Sequence, residues 1–177
     1  MLQICQDPVS DVVAVIPEAT LARGRAHEIA GRARQAAALM IAARMTGPVL
    51  WLQPGWMAER LMGDGVAGLL APGRMIFGVA RAAPELLWAA EEALRTGQVP
   101  LVVAELPEPP RLTPVRRLHL AAEVGATRGA APLMLLLTPG LGGAAGVETR
   151  WTAAAPAPCG GPRWRLTRSR ARLTPPA

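Results

Sequence analysis

Three stretches of this chain are apolar without interruption: Val49-Leu50-Trp51-Leu52, Leu101-Val102-Val103-Ala104 and Leu133–Leu137. A strand with one wet face alternates apolar and polar residues. A strand that does not alternate must be covered on both faces. Segments with helical spacing lie between these runs, and glycine or proline punctuates them. That order predicts an α/β fold, a mainly parallel sheet between helix layers with right-handed crossovers. At 177 residues the chain makes one domain, able to bury roughly 70% of its unfolded surface. It has no Tyr and one Phe, Phe77, so Ala, Leu, Val and Met must fill the core.

The elements can be placed along the chain. Residues 1–20 form an extension with an apolar patch, Val12–Ile16, that ends at Pro17. Arg25–Ala30 is a short strand, and Gly31 turns the chain into an apolar helix from about Arg32 to Met45. Gly47-Pro48 break that helix. The strand Val49–Leu52 follows, then a short helix over Trp56–Met62 and a strand over Met75–Val79. Pro84 opens a helix, Glu85–Arg95, that Gly97 ends. Val99–Ala104 is a buried strand. Thr113 caps a helix from Pro114 to Val124, with Gly125 after it. Leu133–Leu137 is a further buried strand. Val147–Ala153 and Arg163–Arg170 read as an antiparallel ribbon at a sheet edge, with Trp151, Trp164 and Leu166 facing the core. Trp51 and Trp88 are both expected to be buried. Residues 174–177 form a frayed tail.

The strand, glycine turn and helix over residues 24–45 occupy the place of a nucleotide-binding P-loop. That loop needs Gly, four residues, then Gly-Lys-Ser/Thr. The lysine reaches the outer phosphates and the hydroxyl holds magnesium. Here Gly31 is followed by Arg32, Ala33, Arg34 and Gln35, and Ala36, Ala37 and Ala38 fill the three terminal places. The bias toward Ala, Arg, Gly and Pro fits GC-rich coding and explains part of the missing lysine. It does not explain the missing hydroxyl. Leu101–Glu105 has the shape of a Walker B strand with Glu where Asp is usual. Without a magnesium-bound phosphate, Glu105 has no metal to orient and is read as solvated or paired with an arginine. Gln53 ends a strand near the same crevice. His27 is read as a hydrogen-bonding structural residue, and His119 as lying on a partly exposed helix face.

All 19 basic residues are arginine. Residues 1–148 hold 13 arginines and 13 acids, so the net charge of +6 belongs to the last 29 residues. Such an end suits contact with phosphates or an acidic protein face, or simply keeps the chain soluble. Arg163, Arg165, Arg168, Arg170 and Arg172 are the candidate partner-binding residues. Charged edge strands also prevent sheet-to-sheet aggregation. On the predicted ribbon Arg163, Arg165 and Thr167 point one way, and Trp164 and Leu166 the other. Cys5 and Cys159, far apart in sequence, make neither a disulfide framework nor a zinc site. No basic leader and no uncharged apolar run of bilayer length is evident, so a cytoplasmic location is expected, with no membrane contact.

Leu21-Ala22-Arg23-Gly24-Arg25-Ala26-His27-Glu28-Ile29-Ala30-Gly31 resembles the entry to the RecA core, which reads Leu-x-x-Gly-Arg-x-x-Glu-Ile-x-Gly. Glu85–Arg95, Arg116–Glu123, Leu135–Pro139 and the ending Arg163-Trp164-Arg165-Leu166 are similar to the ImuA family. Those are RecA-like accessory proteins of bacterial mutagenic translesion synthesis, related also to the SulA division inhibitors. The likeness covers about residues 20–173. It implies a RecA-like three-layer fold over residues 21–173, with a degenerate P-loop and a C-terminal antiparallel ribbon. It also implies a role in the damage-induced SOS response as a non-catalytic adaptor. The partners it implies are an ImuB-like Y-family polymerase relative, a DnaE-type polymerase and RecA, with DNA contacted indirectly. No catalytic residue, cofactor or metal is expected. The alternatives are a SulA-like inhibitor that binds the division GTPase, or a weak RecA-like ATPase.

Overall fold

The computed structural model describes residues 12–16, 19–155 and 165–171. Strand β1 (Val12–Ile16) pairs antiparallel with β2 (Ala19–Ala22). The extension is thus tied to the chain that enters the main sheet, and the pair lies beside the first helix.

Seven strands form the main sheet: β3 (Ala26–Ala30), β4 (Val49–Pro54), β5 (Met75–Ala80), β6 (Leu101–Glu105), β7 (Leu133–Thr138), β8 (Thr149–Ala154) and β9 (Arg165–Ala171). Their order is β5-β4-β6-β7-β3-β8-β9. Every neighbouring pair is parallel except β8–β9, which is antiparallel. The α/β class and the terminal ribbon are as the sequence leads one to expect. Arg163, Trp164 and Arg172 lie outside the described residues, as do both cysteines and residues 174–177.

The uninterrupted apolar runs have the cause inferred for them. β6 and β7 are buried at every residue, as is β3, and β4 at every residue but the half-buried Leu50. Their side chains alternate between two cores. Ile29, Trp51, Val103, Leu135 and Leu137 face helix α1 (Arg34–Ala43). Leu52, Val102, Ala104, Met134 and Leu136 face α3 (Ala83–Thr96) and α4 (Leu112–Arg128). Short helix α2 (Gly63–Ala67) lies in the β4–β5 connection. No helix among the described residues is long and apolar enough to cross a membrane.

Four local expectations fail. Trp56–Met62 forms no helix, and α2 comes after it. Its Val66 is buried against the α1-side core, as is Leu70 just beyond, whereas Trp56 and Met62 are exposed. Tertiary burial, not local propensity, decides where so short a helix forms.

Trp51 is fully buried, but Trp88 is 61% exposed. Helix α3 buries Leu86, Ala90 and Leu94. Trp88 sits two positions from each of the first two, which turns it to the opposite face of a helix.

His119 is buried, not exposed, in the same stripe of α4 as Val115, Leu118 and Ala122. Its Nδ1 accepts the Ala26 N–H at 3.4 Å, and its Nε2 lies 3.1 Å from the Gly146 carbonyl.

Thr113 is not the cap of α4 and Gly125 is not its end. The helix begins at Leu112, with no side-chain cap, and runs on to Arg128. Pro84 and Gly97, by contrast, bound α3 as expected, Gly97 at φ 69°. Gly125 lies inside α4 because the helices touch backbone to backbone there. A Cβ on Gly125 would fall 2.1 Å from the Leu94 carbonyl oxygen, and one on Gly97 2.4 Å from that of Gly125.

Two stability measurements test this packing. Gly→Ala inside a helix ordinarily stabilises by about 1 kcal/mol. Gly125→Ala should instead destabilise, by about 1–3 kcal/mol, because the added methyl overpacks the crossing. In denaturant unfolding, Trp51→Ala should cost about 3–5 kcal/mol, and Trp88→Ala no more than about 0.5 kcal/mol.

Candidate functional site

The parallel strands end together beneath the start of α1, where open α/β sheets form their ligand crevice. β3 ends at Ala30 and α1 begins at Arg34, so three residues, Gly31, Arg32 and Ala33, make the whole connection. Arg34 and Gln35, loop positions in the P-loop pattern, are already helical. Ala37 and Ala38, in the lysine and hydroxyl places, are buried in the core, and Ala36 is half-buried. The turn also presses against β8. Gly31 adopts φ 95°, and a Cβ there would lie 2.4 Å from the Ala153 carbonyl oxygen. That oxygen accepts the Ala33 N–H at 3.2 Å. Arg32 is exposed.

Glu105, in the Walker B place, is not solvated; it has no exposed surface. Gln35 Nε2 donates to it at 2.7 Å and Trp51 Nε1 at 3.4 Å, and Arg34 forms an ion pair with it at 3.6 Å. Arg34 also donates to the Gly31 carbonyl at 3.3 Å. Burial pushes the Glu105 carboxyl above its ordinary pKa, while Gln35, Arg34 and Trp51 draw it back. Gln53 stands beside it, one step beyond the Leu52–Ala104 register of β4 and β6, and is buried. Gln53 Nε2 and Arg34 Nε find no acceptor among the described residues. The crevice is thus filled by the chain's own polar side chains. Its carboxylate is neutralised by its own arginine, and a magnesium–phosphate group would have to displace both Arg34 and Gln35. No cluster of three His, Cys, Asp or Glu residues that could hold a metal occurs among the described residues.

A second buried carboxylate, Glu28, fills the Glu place of the Leu-x-x-Gly-Arg-x-x-Glu-Ile-x-Gly pattern, but nothing in the sequence named its partners. Glu28 is fully buried and accepts from four donors: Thr138 Oγ1 at 2.6 Å, the Gly143 and Ala144 N–H groups at 2.9 and 3.0 Å, and the Arg150 guanidinium. Its neighbour His27 is structural, as expected. Its Nδ1 meets Thr149 Oγ1 at 2.7 Å and its Nε2 the Ala22 carbonyl at 2.9 Å.

The described arginines of the ribbon do not act alike. Arg165 and Arg170 are exposed. Arg168 is half-buried and lies over the buried Trp151 ring, 5.9 Å from its centroid, a cation–π contact. Leu166 packs on the α1-side core. Arg170 lines a groove of about 700 Å³ with Leu112, Arg116 and Leu120 of α4 and with Glu123 and Glu148. Glu123 is paired with Arg25 across the groove. The ribbon and the outer face of α4 therefore meet in one surface.

Burial lowers the His27 pKa from 6.5 to about 4; the Ala22 carbonyl opposes this, while His119 and Arg25 add to it. A depressed pKa stabilises above the unfolded value and loses that contribution as pH falls through the folded one. Stability should therefore drop by about 3 kcal/mol between pH 6.5 and 4. Glu105, with a raised pKa, acts in the opposite sense: its contribution is complete below the ordinary carboxyl value and fades as pH rises. Unfolding curves across this range should lose most of their slope in His27→Gln.

Neither a family model nor any curated protein matches this sequence.

Proposed function

We propose that this chain is a non-catalytic, RecA-like adaptor of damage-induced translesion DNA synthesis, working in the cytoplasm. It binds an ImuB-like Y-family polymerase relative and so brings a DnaE-type polymerase and RecA together; DNA is reached through these partners. The family and partners come from the sequence resemblance. What supports a non-catalytic role is the geometry at Gly31. A phosphate-cradling loop has closed to a three-residue turn, and the acid beneath it is bonded to Gln35 and Trp51 and paired with Arg34. What supports a binding role is the groove between α4 and β9. It sets the exposed Arg116 and Arg170 beside the apolar Leu112 and Leu120.

Removal of the basic end, residues 168–177, is a poor test. It takes away four residues of β9, including the arginine over Trp151. Charge reversal is cleaner. Arg116→Glu with Arg170→Glu should weaken binding of the purified polymerase relative at least about tenfold, or 1.4 kcal/mol. Wild-type affinity should fall as salt rises, because exposed charges are screened over about 10 Å at 0.1 M. Titrations in parallel against the division GTPase decide between partners. Binding to that GTPase alone would favour the SulA-like alternative. Magnesium-dependent ATP hydrolysis that Glu105→Gln abolishes would favour the ATPase.

A further inference from the structure

The two edges of the main sheet are built in opposite ways. β9 carries Arg165, Arg168 and Arg170 within its seven residues. β5, at the other edge, reads Met-Ile-Phe-Gly-Val-Ala and has no charge. It pairs with β4 alone, so the N–H and C=O groups of its outer side have no strand beside them among the described residues. Its side chains are exposed on both faces. Phe77 (53%) and Val79 (55%) stand on the face of Trp51, and Ile76 (49%) stands on the face of Leu50. Soluble proteins ordinarily protect such an edge with charge, proline or a covering loop.

Two further aromatic side chains are exposed on neighbouring elements. α3 packs on β4 and β5 and exposes Trp88. Gly55, whose N–H bonds the Ala80 carbonyl at 2.8 Å, leads into the exposed Trp56. The glycine inside β5 does not mark a weak strand. Leu52 Cδ2 lies 2.5 Å from where a Gly78 Cβ would be, so β4 already fills that place.

We propose that β5 is a self-association strand: a second copy of this chain pairs with it antiparallel about a two-fold axis through Gly78, making one continuous sheet. The symmetry restricts the register. A two-fold axis perpendicular to the sheet preserves its faces, so opposed residues must share a face. Centred on Gly78, the pairing sets Phe77 against Val79 of the second copy and Ile76 against Ala80. Aromatic and β-branched residues are favourable cross-strand neighbours.

The ends of the strand fit as well. Arg81 meets Met75 of the second copy and Arg74 meets Ala82, so no like charges are opposed. The Arg74 guanidinium is already engaged, with the carbonyls of Gly47, Ala42 and Met45 at 2.8, 3.1 and 2.6 Å. A charged edge could not pair with itself in this way, whereas a neutral one carries no penalty. The contact is self-complementary and closes at two copies. It leaves the α4–β9 groove, at the far side of the sheet, open.

Size exclusion with light scattering reads the result directly. The wild-type chain should run at twice its 18.6 kDa mass, and Phe77→Lys and Val79→Lys at one chain mass with an unchanged circular dichroism spectrum. Arg170→Glu should remain at two. Register is tested by disulfide trapping, with Cys5 and Cys159 replaced by Ser. The Phe77→Cys/Val79→Cys variant should form a covalent dimer on oxidation, and Ile76→Cys/Val79→Cys, whose residues lie on opposite faces, should not. A wild-type chain that stays at one mass at every concentration overturns the proposal. So does a ladder beyond two copies, which would mean head-to-tail strand addition. A dimer that survives both lysine variants and forms no 77–79 cross-link also overturns it.

Discussion

The carboxylate of Glu28 holds the two halves of the sheet together. It lies at the middle of β3 with no exposed surface, and its four donors come from β7, from the loop at residues 143–144 and from β8. A buried charge without such partners costs several kcal/mol. Every element that supplies a donor is therefore held to one position. Arg150 also donates to the Ala144 carbonyl at 2.7 Å, which fixes the loop against β8. The approach is close enough that a Cβ on Gly142 would fall 2.8 Å from Glu28 Oε1. β8, so anchored, carries the two features on which the functional reading depends. Its Ala153 carbonyl closes the turn at Gly31, and its Trp151 supports Arg168 of the outer strand.

The charges fall into two groups with different tasks. Arg34, Arg150 and Arg74 are spent inside the chain, on Glu105, on Glu28 and on the carbonyls at and beyond the end of α1. Arg116, Arg165 and Arg170 stay on the surface. The basic excess after residue 148 thus overstates what that end can offer a partner. Arg150 is neutralised by Glu28, and Arg168 is placed on an indole. Of the described arginines of that end, Arg165 and Arg170 stay exposed and Arg170 lines the groove with the leucines, while the opposite edge strand, β5, carries no charge. The proposed partner contact would use charge and the proposed self-association backbone pairing, and they lie at opposite edges of the sheet, so the two need not compete.

The sequence made the class of fold legible because burial on both faces leaves no polar residue in β6 before Glu105, and few in β7 or β4. Proline and glycine bounded α3 for reasons local to the backbone. The failures have other origins. Gly125 is read locally as a helix end, but its reason is a carbonyl on another helix. Trp88 is exposed for a reason the sequence does carry: the spacing of Leu86, Ala90 and Leu94 puts it on the outer face. His119 is buried because Ala26 and the 146 loop supply its partners, more than twenty residues away in each case. At the candidate site, the missing lysine and hydroxyl were plain in the sequence. The closure of the loop was not, since it depends on where α1 begins and on Ala153. The groove at Arg170 was likewise hidden, because it joins residues that only the sheet order brings together.

The departure from the P-loop pattern reaches deeper than three alanines. Ala37 and Ala38 pack in the core between α1 and the sheet. A lysine at Ala37 would carry a charge into an apolar layer with no phosphate to receive it, which is far more costly than its absence from a loop. Restoring the loop would require α1 to start later and to release Arg34 and Gln35 from Glu105. That carboxylate would then be buried without its present partners. The turn would also have to leave Ala153, and with it the strand that Glu28 holds. The residues in these places are the contacts that join α1, β6 and β8, so a nucleotide crevice could open here only by unpacking that part of the fold.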